Sequence, residues 1–402
     1  MSLRTEYAGL TGPQRTAIWA SYLGWTLDAF DFFLMVFMLK AISTSFAVPV
    51  SHVAEALFLT LAARPLGALV FGWLGDRFGR RPVLMLVILL FSAFSALSGF
   101  ARTLGELLLI RALFGFAMGG EWGLGASLVM ETIPARLRGP VSGLLQSGYP
   151  TGYLIASLAY YLLFDMLGWR AMFLLGLAPA LLVLFIRMKV EESPVFLARQ
   201  HEPRVLPLAT MIANWRLGLY LIVLMTAFTF LSHGTQDLYP TFLQEQHHFS
   251  TQQTGAVTVI MNVGAIIGAL VFGVLSERIG RRRSIMFAAL LAVPVLPLWA
   301  FSNGIMALTV GAFAMQFAVQ GAWAMVPAWL NELSPPAIRA MFPGVVYQLG
   351  NLIASRCTVL QANIAEGRGG DYAFALALVT GVTVAVLVVW TAFGPERNEH
   401  FE

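Results

Sequence analysis

The sequence predicts an all-α membrane protein with twelve membrane-spanning helices in two pseudo-symmetric six-helix halves. Three observations lead there. Hydrophobic residues make up 58% of the 402 residues and charged residues only 11%, against roughly 45–50% and about 25% in soluble domains. So few charges cannot cover a water-facing surface, and lipid is the natural solvent for such a chain. Twelve apolar stretches are each long enough to cross a hydrocarbon core, which takes about 20 helical residues. Finally, the chain repeats itself at an offset of 201. GALVFGWLGDRFGRR at 67–81 and GALVFGVLSERIGRR at 268–282 share eleven of fifteen residues.

The expected spans follow in order from where polar residues interrupt the apolar runs. Segment 1 (16–40) follows the polar MSLRTEYAGLTGPQR. Segment 2 (53–75) ends in the first copy of the basic loop, and segment 3 (82–101) leaves it. Segment 4 (104–130) stops at Glu131 and Pro134, and segment 5 (140–164) starts after Arg136 and Arg138 with Gly148 and Gly152 spaced for close helix packing. Segment 6 (170–188) closes the first half, expected to be 1–188. A polar linker (189–215) holding VEESPVFLARQHEPR separates it from the second half, 216–402. There segments 7 (217–242), 8 (252–276), 9 (284–302), 10 (305–330), 11 (342–364) and 12 (372–393) repeat the scheme. Gly120 and Trp122 match Gly321 and Trp323, Glu131, Pro134 and Arg138 match Glu332, Pro335 and Arg339, and Gly143 matches Gly344, all at the same offset. Two parallel repeats follow.

Charge placement gives an expected orientation. Of 25 Lys and Arg, 18 fall in or beside segment ends on one side: Arg4, Arg15, Arg77, Arg80, Arg81, Arg136, Arg138, Arg187, Lys189, Arg199, Arg204, Arg216, Arg278, Arg281, Arg282, Arg283, Arg339 and Arg397. The positive-inside rule makes that side, and both termini, cytoplasmic. Basic residues that follow loop parity form no single patch, which excludes nucleic acid as a partner. The start lacks a cleavable signal pattern. The lone Cys357 excludes a disulfide framework, and no metal-spaced cluster or glycine-rich phosphate loop argues for an enzyme. Short loops suggest a bacterial inner membrane protein, and a monomer is expected.

The paired loops GWLGDRFGRR and GVLSERIGRR resemble the signature between segments 2 and 3 of the major facilitator superfamily, and so imply a transporter that alternates access by rocking its halves. In this reading Asp76, Arg77, Arg80 and their counterparts Glu277, Arg278 and Arg281 form a gate, with arginines pairing to acids across the interface between halves. The plainer reading is that the arginines only set topology.

Ionisable residues inside membrane helices are costly, so they normally face a cavity or a partner. Asp28 and Asp31 lie three apart on one face of segment 1. Arg64 of segment 2 is expected near mid-depth, where its planar fork suits a carboxylate. Asp31 is a candidate partner for Arg64, and Arg111 with Glu121 forms a candidate structural or gating pair on segment 4. In segment 7, Thr229, His233, Gln236 and Asp237 form one polar stripe. His233 and Asp237 can share or pass a proton. Segment 11 adds Gln348 and Asn351 on one face, with Arg356 turned toward a helix contact. The aromatic run Phe30, Phe32 and Phe33 reads as lipid-facing or packing.

The stretch from Ser232 to Thr241, SHGTQDLYPT, resembles the signature of the sialate:proton symporter family, in particular its Jen-type lactate and pyruvate permeases. It matches at Ser232, His233, Thr235, Gln236, Asp237 and Thr241, and departs where Thr229 replaces an asparagine. LDAFDFF, GGEWG at 119–123 and YQLGN at 347–351 extend the resemblance to both halves. It implies that His233 and Asp237 serve proton coupling and substrate affinity, that Gln348 and Asn351 line the substrate path, and that Arg64 answers the substrate carboxylate. The expectation is proton-coupled symport of a small monocarboxylate such as lactate, pyruvate or acetate. Arg64, Asp28, Thr229, His233, Gln236, Gln348 and Asn351 would bind it, and Asp28, Asp31, Glu121, His233 and Asp237 would handle the proton. The expected partners are that carboxylate and the lipid bilayer, with no cofactor beyond the proton and no metal. The alternatives are a sialate, a sugar acid, or another cargo on the same fold.

Overall fold

The computed structural model describes residues 3–198 and 207–395. Arg199, Arg204 and Arg397, counted above in the charge pattern, lie outside the described residues, as does the middle of the expected linker.

Among the described residues, twelve helical segments can be traced, several of them broken. Segment 1 is Gly12–Phe46, opened by Thr11, whose hydroxyl accepts from Gln14 N while the Gln14 side chain returns a bond to Thr11 N. That reciprocal cap satisfies two helix-end donors. Segments 2 and 3 are Val50–Phe78 and Arg80–Ser98. Segment 4 is Leu104–Met118 followed by Glu121–Thr132. Segment 5 begins at Arg138 and runs to a kink at Gly168, after which Ala178–Lys189 completes segment 6. In the second half, segment 7 is Trp215–Gln236 plus Tyr239–Glu245, segment 8 is Thr251–Ile279 and segment 9 is Arg281–Ala300. Segment 10 is Ile305–Trp323 plus Val326–Leu333, segment 11 is Met341–Ala354 plus Cys357–Glu366, and segment 12 is Tyr372–Ala392.

Ten helical stretches among the described residues are long and apolar enough to cross a membrane by length and composition. The shortfall from twelve has a local cause. Segments 5 and 6 run together as Ala135–Leu182, and segment 11 is interrupted at Ser355 and Arg356. Arg356 is exposed at that break rather than wedged between helices.

The repeat is visible in the backbone. Gly79 and Gly280, 201 residues apart, both take positive φ (110° and 88°). A side chain is strained there, so glycine lets segments 2 and 8 turn directly into segments 3 and 9. Segment 1 packs on 5 and 2 on 4, while 7 packs on 11 and 8 on 10. Across the halves, segment 5 meets 8 and segment 2 meets 11. Leu66, Leu109, Leu158, Leu181 and Val389 are all exposed on the outside, as a lipid-facing surface requires.

Candidate functional site

A cavity of about 420 Å³ lies between the halves. Its lining runs from Asp28, Arg64 and Tyr347 at mid-depth to Phe37, Leu57, Tyr153, Pro240 and Thr358 toward the end away from the basic loops. It therefore belongs to a form closed at the basic end.

The closure is built from glycines and carboxylates. A Cβ on Gly123 would fall 2.8 Å from the Ala340 carbonyl oxygen, and one on Gly143 would fall 2.3 Å from that of Ala269. Only glycine lets segments 4 and 11, and 5 and 8, touch backbone to backbone. Asp76 accepts from Ala340 N (2.9 Å) and Met341 N (3.0 Å) at the start of segment 11. Glu277 accepts from Gly139 N (2.7 Å) at the start of segment 5. Helix starts carry free N–H groups and partial positive charge, so a carboxylate is held there.

This corrects the expected gate. The acids cross the interface, whereas Arg80 pairs with Asp76 (3.1 Å) and Glu131 (3.2 Å) of its own half, and Arg281 with Glu277 (2.7 Å) and Glu332 (3.1 Å) of its own. Arg77 lies exposed over the Trp73 and Phe78 rings, and Arg278 is exposed as well. The sequence reading also missed Glu192 in the linker, which accepts from Arg80 N (3.0 Å) and Arg81 N (3.1 Å). Burial pushes the Glu192 carboxyl up, against the amides that pull it down. With Asp76→Ala, two hydrogen bonds to a charged acceptor are lost, each worth roughly 1.5–3 kcal/mol. We expect a cysteine introduced at Val345, in a Cys357→Ser background, to be alkylated from the basic side at least tenfold faster. An unchanged rate would mean that Asp76 does not hold the seal.

Arg64 sits midway along segment 2 and is buried, yet lines the cavity. A Cβ on Gly119 would fall 2.0 Å from the Arg64 carbonyl oxygen, so glycine there lets segment 4 close onto segment 2 at this level. Arg64 Nη2 lies 2.7 Å from Met118 Sδ, and the guanidinium carbon is 5.5 Å from the Phe32 ring centre. Arg64 Nε has no hydrogen-bond partner. Among the described residues, no carboxylate is within ion-pair distance of this guanidinium. Asp28 lines the same cavity within its field, and Asp28 Oδ1 is buried without a partner.

Asp31 is not the partner of Arg64. It pairs with Arg111 at 3.0 Å, both side chains fully buried, and also accepts from the Ser95 hydroxyl. The expected Arg111–Glu121 pair is therefore absent. Glu121 lies ten residues further along segment 4, with Oε1 against Gly24 and Oε2 unpartnered. Neither Asp31 nor Glu121 lines the main cavity. Glu121 borders a separate void of about 10 Å³ with Ser21, Trp25 and Pro327, room for about one water.

The second half contributes Thr229, Ser232, His233, Gln236 and Asp237 from segment 7. His233 Nδ1 and Asp237 Oδ2 are 2.9 Å apart, with about a third of each side chain accessible (32% and 31%). Thr358 Oγ1 donates to the same Asp237 oxygen at 3.0 Å. Thr229 Oγ1 donates to Asn351 Oδ1 at 2.7 Å. Gln348 does not reach the cavity. It is buried behind Asn351, 3.4 Å from Asn351 Nδ2, and the neighbouring Tyr347 faces the cavity instead. Phe32 and Phe33, expected to pack or face lipid, also line it, whereas Phe30 is in the core. Trp25, Gln146, Tyr149, Asn262, Gln320 and Trp323 also line the cavity, residues that the sequence did not mark as cavity positions.

A sequence model described as "Sugar (and other) transporter" matches residues 16–205 and 208–396. The chain is 32% identical over 361 residues to a protein of Cupriavidus pinatubonensis named as a probable 4-methylmuconolactone transporter, covering 86% of this chain and 82% of that one. It is 27% identical over 398 residues to the sialic acid transporter NanX of Escherichia coli, covering 96% of each. Its fold superposes on a proton:xylose symporter of the major facilitator superfamily with a TM-score of 0.78 at 18% identity, covering 96% of both chains. The chain therefore belongs to the sugar (and other) transporter family: it is an integral membrane transporter of small molecules and not an enzyme.

Proposed function

We propose that this transporter is a proton-coupled symporter of organic monocarboxylates, set in a bacterial cytoplasmic membrane with its basic end and both termini in the cytoplasm. The observation that carries this reading is Arg64, a mid-depth guanidinium that lines the cavity with no carboxylate in ion-pair reach among the described residues. A buried charge of that kind is costly until an anion answers it. Similarity to a transporter named for sialic acid supports an acid as cargo.

In this mechanism the solute enters from the end away from the basic loops, and its carboxylate docks on Arg64. A proton on Asp28 or Asp237, passed through His233, then neutralises the loaded cavity. Only a charge-compensated cavity closes on both sides, which links proton to solute. The Asp76 and Glu277 contacts open as the halves rock, releasing both to the cytoplasm. Thr229, Gln236 and Asn351 orient the solute through hydrogen bonds. Gln348 acts by holding Asn351.

The test is accumulation in proteoliposomes of labelled monocarboxylates of increasing size, corrected for protein-free liposomes, with and without an inward proton gradient. Gradient-dependent accumulation of at least one acid is expected, and its absence across the panel would remove the reading. Asp237→Asn should lower proton-driven accumulation at least tenfold while counterflow exchange persists. Equal losses in both would move the coupling role away from Asp237. The segment 7 signature favours a lactate-sized acid as a second, narrower reading, and competition within the same panel decides it.

A further inference from the structure

We infer that the preferred cargo is a planar, ring-bearing monocarboxylate rather than a two- or three-carbon acid. This rests on the monocarboxylate reading above and refines it. The two walls of the cavity differ in kind. On the first half, segments 1 and 5 present a ladder of rings: Phe33 lies 4.6 Å from Tyr153 and 5.2 Å from Tyr149, and Phe37 lies 5.6 Å from Tyr153. Trp25 stacks on Tyr149 at 5.9 Å. Tyr347 closes the floor, 6.3 Å from Trp25 and 5.9 Å from Trp323. The opposite wall is polar and carries the His233–Asp237 pair with Gln236 and Asn351.

Arg64 stands at the deep end of the ring wall, against Phe32. A carboxylate held there directs the rest of the solute along that wall toward the mouth. A small acid would leave most of these ring faces against water. The volume of about 420 Å³ falls in the range of roughly 300–1,000 Å³ typical of sites for drug-sized ligands. Several of the rings meet edge to face, so a flat guest ring can continue the pattern by setting its edge on an exposed face. Polar substituents on the far side of such a ring would meet the hydrogen-bonding wall.

The experiment is equilibrium binding of labelled benzoate to the full chain in lipid nanodiscs, with unlabelled competitors. Benzoate and 4-hydroxybenzoate should displace the label at concentrations at least tenfold below lactate. Benzyl alcohol, which keeps the ring and lacks the carboxylate, should not compete. Phe33→Ala and Tyr149→Leu should each reduce the benzoate-to-lactate preference at least fivefold. Lactate competing as well as benzoate, or a failure of benzoate to bind while lactate binds, would overturn the ring inference and leave the monocarboxylate reading standing. Benzyl alcohol competing as well as benzoate, or no acid binding at all, would overturn both. The competition series uses the unaltered protein, so it decides the question even if a variant fails to fold.

Discussion

Arg64→Ala should abolish uptake of whichever acid the protein accumulates, with the protein still present in the membrane. A guanidinium about 4 Å from a carboxylate is worth roughly 4 kcal/mol at an effective dielectric of 20, which corresponds to about a thousandfold in affinity. The loss should be nearly complete because, among the described residues, the only other basic side chain in the cavity lining is His233, which is already engaged with Asp237. Arg64→Lys separates charge from shape. It restores the cation without the planar fork, and we expect an intermediate defect of about tenfold to a hundredfold. The measurement is binding to the purified variants, checked against the elution profile of the unaltered protein. Wild-type affinity in Arg64→Ala would leave the cavity without its anion site and remove the proposed mechanism.

The second large effect is expected off the transport path, at Arg111. Its ion pair with Asp31 is fully buried and sits beside Phe114, whose ring centre is 3.8 Å from the guanidinium. Truncating one member of a buried pair strands the other charge and costs about 3–5 kcal/mol. Arg111→Ala should therefore lower the thermal midpoint in detergent by about 10 °C or prevent accumulation of the folded protein. The double replacement Asp31→Leu with Arg111→Met, which removes both charges and keeps volume, should recover most of that loss. If Arg111→Ala keeps its midpoint but loses transport, the pair belongs to the mechanism and not to the scaffold.

The contrast between these two arginines also measures what the sequence could and could not say. Both are single basic residues within apolar runs, and each has aspartates of segment 1 within plausible reach. Position along the helix gives the expectation of mid-depth for Arg64, and the repeat gives the expectation of two halves. Which arginine takes Asp31 depends on the rotation of segments 2 and 4 about their axes, a tertiary quantity with no one-dimensional trace. The same limit explains segment 11. Tyr347 and Gln348 are neighbours in sequence, and a turn of about 100° decides which of them reaches the cavity. Phe32 and Phe33 were unreadable for another reason: a ring facing lipid and a ring facing a solute cavity are equally apolar, so composition cannot separate them. At the basic loops the residue types were right and the partners wrong, because backbone amides at a helix start are invisible as letters.

Asp76 and Glu277 reach in opposite directions, each tying the helix start of the other half. A latch of this kind is mutual, so neither half can let go without breaking its own hold. Partial disengagement would strand a carboxylate and bare amides at once, which makes half-open arrangements poor in energy compared with fully shut or fully parted ones. Such a carrier resists becoming a pore: the basic end stays shut while the solute chamber fills.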